Sequence, residues 1–152
     1  MAFLVNSGSC EYLYRSGRFW PGYDHDRGLE HLGKMKSARY IYYAGKEWKK
    51  FNFQRGFELL METGSAEFIF YAGAYWREFD FIRGMESIFS LGNMEYIYRA
   101  GTLRRTFNHD RAWKILESHV SQGEIWRGKA FTNARWKGEL QRIWNSIWPD
   151  KQ

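Results

Sequence analysis

Apolar and polar positions along the chain recur with a period of 28 residues from Ser9 to Val120, without insertion or deletion. One apolar column reads Leu13, Ile41, Ile69, Ile97, and an aromatic one reads Tyr23, Phe51, Phe79, Phe107. A glycine column (Gly17, Gly45, Gly73, Gly101) and an arginine column (Arg27, Arg55, Arg83, Arg111) keep the same register. Four columns in phase at this period predict a repeat architecture in which each copy stacks on the next. The copies span 9–36, 37–64, 65–92 and 93–120.

Each copy carries signals for two short helices. It opens on Ser9, Ser37, Ser65 or Asn93, residue types whose side-chain oxygen accepts from a free N–H of a first helical turn. A second column of such residues follows 15 positions later, at Asp24, Asn52, Asp80 and Asn108. Gly64 and Gly92 stand where a left-handed residue ends a helix. The first helix carries the aromatic–Ile–aromatic run and ends near Trp20, Trp48 or Trp76; the second has apolar residues three and four apart, as in Phe57, Leu60 and Met61. Glycine inside a helix costs roughly 1 kcal/mol against alanine. Its return in every first helix, and at Gly28, Gly56 and Gly84 in the second, predicts close approach of another backbone.

The aromatic–Ile–aromatic run is also β-prone, and a β-hairpin closed by Ala72-Gly73, followed by a helix, is the alternative repeat unit. Alanine resists the positive φ of such a turn, and the cap columns favour helices, so the expected fold is all-α. It is a single domain, 1–152: a short α-solenoid of four helix-turn-helix repeats, preceded by an apolar lead-in at 1–8. After Ser121 the register decays into a degenerate copy. A helix over about 135–148, with Trp136, Leu140, Ile143, Trp144, Ile147 and Trp148 on one stripe, would cap the stack at its C-terminal end.

Composition adds bounds. The chain has 152 residues, 44% hydrophobic and 26% charged, within the globular range. One cysteine, Cys10, excludes an intramolecular disulfide and suits a reducing compartment; its column, shared with Ala38, Ala66 and Met94, predicts a buried side chain. The start MAFLVNSG is too short an apolar run for a signal peptide or membrane span, so a soluble cytoplasmic protein without membrane contact is expected. The net charge of +6 makes an acidic partner plausible; the third repeat alone is acidic.

Candidate chemistry is sparse. Arg27, Arg55 and Arg83 each precede a glutamate by three residues (Glu30, Glu58, Glu86), so the arginine column, Arg111 included, reads as a structural ladder. His25-Asp26 and His109-Asp110 lie three repeats apart without further ligands at zinc spacing, and His31 and His119 are isolated. No nucleophile elbow, phosphate loop or dinucleotide fingerprint is present, so no catalytic residue, metal or cofactor is expected.

The turn after each first helix is the most suggestive set. It gathers Arg18, Lys46, Lys49, Lys50, Arg77, Arg104 and Arg105 against Glu47 and Glu78, with Trp20, Trp48 and Trp76 between them. Aligned along one edge, these residues would form a basic, tryptophan-containing ridge suited to single-stranded RNA or DNA. If the tryptophans are instead buried hinges, the charges form a solvated edge. In plan the chain resembles the α-solenoid class that includes tetratricopeptide and ankyrin repeats, although the period and motifs differ. That resemblance implies a non-enzymatic binding module. A protein partner, met through exposed Tyr, Trp and Arg, is the first expectation, and nucleic acid the alternative.

Overall fold

A computed structural model describes residues 9–101, 108, 111, 112, 114 and 115. The described residues are all-helical, with no strand among them. Seven helices follow in order: α1 (Cys10–Phe19), α2 (His25–Lys34), α3 (Ala38–Glu47), α4 (Phe53–Thr63), α5 (Ala66–Tyr75), α6 (Phe81–Leu91) and α7 (Met94–Ala100). The chain divides into two compact units, Met1–Leu91 and Gly92–Gln152. The apolar lead-in at 1–8 and the helix expected at 135–148 lie outside the described residues.

The helix boundaries follow the cap residues. Asp24, Asn52 and Asp80 each accept from the backbone N–H three residues on, at 3.0, 3.1 and 3.2 Å. Ser9 and Ser65 do so more loosely, at 3.4 and 3.3 Å, and in the second unit Asn93 and Asn108 repeat the arrangement. Ser37 makes no such bond. The turn before it is also the odd one: Lys36 sits at φ 51°, where Gly64 and Gly92 occupy the same register at 67° and 68°. A side chain is strained in this region and glycine is not. The Ala72-Gly73 pair lies inside the continuous helix α5, which removes the hairpin alternative.

In the first unit, α1 packs on α3 and α3 on α5, while α2 packs on α4; each first helix also packs on its own second helix. Two columns of the period supply most of the fully buried large side chains. Leu13, Ile41 and Ile69 from the first helices and Leu32, Leu60 and Ile88 from the second are fully buried. Ile97 is buried likewise in the second unit.

The recurring glycines are explained by side chains, not by the backbone approach that the sequence suggests. The Trp48 indole lies against Gly17, and the Trp76 indole against Gly45, so that a Cβ at either glycine would overlap the ring. Each indole belongs to the repeat after its glycine. Each also reaches back to a carbonyl: Trp48 Nε1 donates to Tyr14 O and Trp76 Nε1 to Tyr42 O, both at 2.9 Å. Around Trp48 stand Tyr23, His25 and Phe51; around Trp76 stand Phe51, Phe53 and Phe79, the same positions one period on. In the second helices the ring over the glycine comes from the same repeat: Tyr23 over Gly28, Phe51 over Gly56, Phe79 over Gly84.

Candidate functional site

The basic ridge is only partly assembled as a site. Arg18, Lys46, Lys49, Lys50 and Arg77 are exposed, while Arg104 and Arg105 lie outside the described residues. Trp48 and Trp76 are 6% and 7% exposed and already committed to glycine and carbonyl partners, so neither indole can stack on a base without leaving the core. Trp20, at 52%, is the exposed member of the column. No earlier helix among the described residues supplies the glycine surface that its two counterparts rest on. Several of the charges are also engaged: Lys46 Nζ lies 5.4 Å from the Tyr75 ring centre and the Arg77 guanidinium 5.4 Å from that of Phe53.

The arginine column differs from member to member. Arg55 grips Glu30 of the preceding repeat through two bonds, Nε at 2.6 Å and Nη2 at 3.0 Å, and its own Glu58 at 3.2 Å. This fork holds the Glu30 carboxyl below its ordinary pKa, chiefly through the hydrogen bond. Arg83 instead lies over the Phe57 ring at 5.1 Å, with Asp80 at 4.0 Å. Arg27 makes no ion pair among the described residues, and Arg111 caps with its backbone N–H on Asn108. His25 Nε2 donates to Gly17 O at 2.8 Å, since a carbonyl can only accept. Its ring takes the place that Phe53 holds one repeat later. Among the described residues no three His, Cys, Asp or Glu side chains converge. Cys10 is half-buried, its Sγ 3.1 Å from Met35 Sδ.

A different face gathers more chemistry. Between α1 and α3 lies a groove of about 460 Å³, within the size range of binding clefts. Its floor is a cluster of three tyrosines, with Tyr14 5.8 Å from both Tyr40 and Tyr43, and those two 6.1 Å apart. All three tyrosines are half-buried. Beyond the floor, Tyr42 continues the cluster to Phe68 and Tyr71 on α5. Phe19 stands at one edge, 66% exposed. Charges line the rim: Arg15 pairs with Glu11 at 2.7 Å and Arg18 lies 3.8 Å from Glu47. The Arg39 guanidinium sits 5.7 Å from both the Tyr40 and the Tyr43 ring centres. Its hydrogen bond to the Tyr43 oxygen raises its pKa further, so its charge is fixed.

These tyrosines were absent from the residues that the sequence singled out. For Tyr40 and Tyr43 the signal was present in two columns, Tyr12, Tyr40, Phe68, Tyr96 and Arg15, Tyr43, Tyr71, Arg99, one residue before and two residues after the buried column of Leu13, Ile41, Ile69 and Ile97; Tyr14 belongs to a third column, with Tyr42, Phe70 and Tyr98. No family model matches the chain, and no curated protein or solved structure is significantly similar to it. No helix among the described residues is long and apolar enough to cross a membrane.

Proposed function

We propose that the chain is a non-enzymatic helical-repeat module, a short solenoid of four 28-residue repeats with a C-terminal capping helix, that binds a protein partner through the face of its first helices. The observation that carries this reading is the tyrosine-floored groove between α1 and α3. Tyrosine and arginine bring large, stiff contact area and directional bonding, and they dominate the energetics of protein interfaces. Packed aromatics on the floor also reduce the ordering that a partner would have to impose.

Binding of single-stranded nucleic acid through the turn ridge is the second reading. It draws on the exposed Lys46, Lys49, Lys50 and Arg77 and on one accessible indole, Trp20. With Trp48 and Trp76 buried, most of its stacking capacity is gone. Anisotropy of labelled single-stranded RNA and DNA at several salt concentrations separates the two. The ridge would give a log–log salt slope of roughly −0.7 per phosphate contact, flattened by neutralising Lys49 and Lys50. The protein-binding reading expects weak, non-saturating nucleic-acid binding. It also expects a protein partner, captured at high salt, that is lost on Tyr43→Ala and kept on Lys50→Ala. Capture indifferent to Tyr43→Ala would remove the groove from consideration.

A further inference from the structure

Two cations at the groove, Lys46 in its lining and Arg39 beside it, have no carboxylate within ion-pair distance among the described residues. Arg15 and Arg18 are matched by Glu11 and Glu47. Arg39 and Lys46 make no ion pair among the described residues; both are exposed and rest against tyrosine rings. Both lie on α3, either side of Tyr40 and Tyr43 in sequence, seven residues and therefore about 10 Å apart along the helix. The groove lining holds Arg15, Arg18 and Lys46 against Glu11 and Glu47, and Arg39 lies beside it over Tyr40 and Tyr43, so this face carries an excess of positive charge.

We infer that the groove takes an extended acidic peptide segment, with carboxylates three residues apart meeting Arg39 and Lys46 and an apolar side chain between them on the Tyr14, Tyr40 and Tyr43 rings. An extended chain winding three residues per turn with a rise of about 3.1 Å puts residues i and i+3 on one side, about 9 Å apart, close to the spacing of the two cations. The apolar residue between them covers the tyrosine faces, which can take contact area without needing a charge. A nucleic-acid strand fits less well, because its unbroken line of phosphates would run past Glu11 and Glu47. A peptide can place uncharged residues there. This inference rests on the protein-binding reading of the same face and adds the chemistry and spacing of the partner.

The test is fluorescence anisotropy of the full chain with a fluorescein-labelled peptide repeating Glu-Leu-Pro, its counterpart repeating Lys-Leu-Pro, and an oligothymidylate. The Glu peptide should bind, and Arg39→Glu with Lys46→Glu should weaken it by about tenfold or more, the effect of losing one strong interface contact. The same double variant should gain binding of the Lys peptide, a rescue that a misfolded protein could not give. Lys49→Glu with Lys50→Glu, outside the groove, should leave the Glu peptide's affinity within about twofold, since a distant exposed charge is largely screened. Equal affinity of wild type for the Glu and Lys peptides, lost in both cases on Tyr43→Ala, would overturn the charge argument and leave the protein-binding face standing. Failure of both peptides to bind would overturn the acidic segment and count against the face itself. Oligothymidylate binding abolished by Arg39→Glu with Lys46→Glu would overturn the inference in favour of nucleic acid.

Discussion

Gly45→Ala would place a methyl group inside the space now held by the Trp76 indole. The ring cannot swing aside cheaply, because Nε1 is bonded to Tyr42 O at 2.9 Å and Phe51, Phe53 and Phe79 pack round it. Overpacking of this kind costs about 1–3 kcal/mol. Alanine in a helix interior returns about 1 kcal/mol over glycine, so the net loss should be about 0–2 kcal/mol. That small net figure hides the contact, and a cycle exposes it. With Trp76→Leu the overlap is gone, and Gly45→Ala should then stabilise by about 1 kcal/mol through propensity alone. The coupling between the two sites is thus about 1–3 kcal/mol. Gly73→Ala provides the control, since the nearest atoms to its Cβ belong to Phe79 at 3.1–3.6 Å and no indole lies among them. Urea unfolding followed by far-ultraviolet dichroism reads all five proteins without relying on tryptophan emission, with m held constant as the check on two-state behaviour. A coupling within about 0.5 kcal/mol of zero would refute the interlocking of tryptophan and glycine across repeats.

Three further outcomes follow from single positions. Lys36→Gly should raise stability by about 1 kcal/mol, because the left-handed φ of 51° suits glycine as it does at Gly64 and Gly92; a fall in melting temperature would contradict this. Tyr23→Phe removes a buried hydroxyl with no hydrogen-bond partner among the described residues, from a column otherwise filled by phenylalanine, and should be neutral or stabilising by about 1 kcal/mol. Burial, then Asp24, pushes the Tyr23 phenol up to about 12 from 10.0, so the folded state holds its proton where the unfolded state has lost it, and stability falls as pH rises from 10.0 to about 12. Tyr23→Phe should reduce that alkaline loss, and an unchanged alkaline limb would argue against the burial. The Glu30 carboxyl, lowered by Arg55, contributes stability above its unfolded pKa that is lost as pH falls through the lowered folded value; Arg55→Gln should therefore weaken the protein at neutral pH and converge with wild type in acid. Parallel curves throughout would show that the fork does not couple to folding.

The helices were legible because their signals are local. Asp24, Asn52 and Asp80 cap the helices they precede, and the left-handed glycines end α4 and α6, all within a few residues of sequence. The tryptophan column was not legible, because burial there depends on a helix more than 30 residues earlier: Trp20 and Trp48 share a register, yet one is exposed and the other enclosed. The glycine column was misassigned for the same reason, as an indole from the next repeat lies over it in place of a backbone. The groove went unseen because aromatic residues at helical spacing read as core. Tyr42 is core, at 6% exposure and packed against Phe68 and Tyr71 of α5, while its neighbour Tyr43 faces the groove between α1 and α3.

The most direct test of the proposed binding face is site-specific photocrosslinking in an extract of the cells that express the protein. A benzophenone amino acid replaces Tyr43 on the groove in one protein, and Lys50 on the turn ridge in another. If the first-helix face binds protein, the probe at Tyr43 yields a discrete protein adduct that survives high salt and is competed by the Glu-Leu-Pro peptide, and the probe at Lys50 yields none. Adducts at Lys50 without adducts at Tyr43, sensitive to nuclease or to salt, would contradict this assignment and return the site to the ridge.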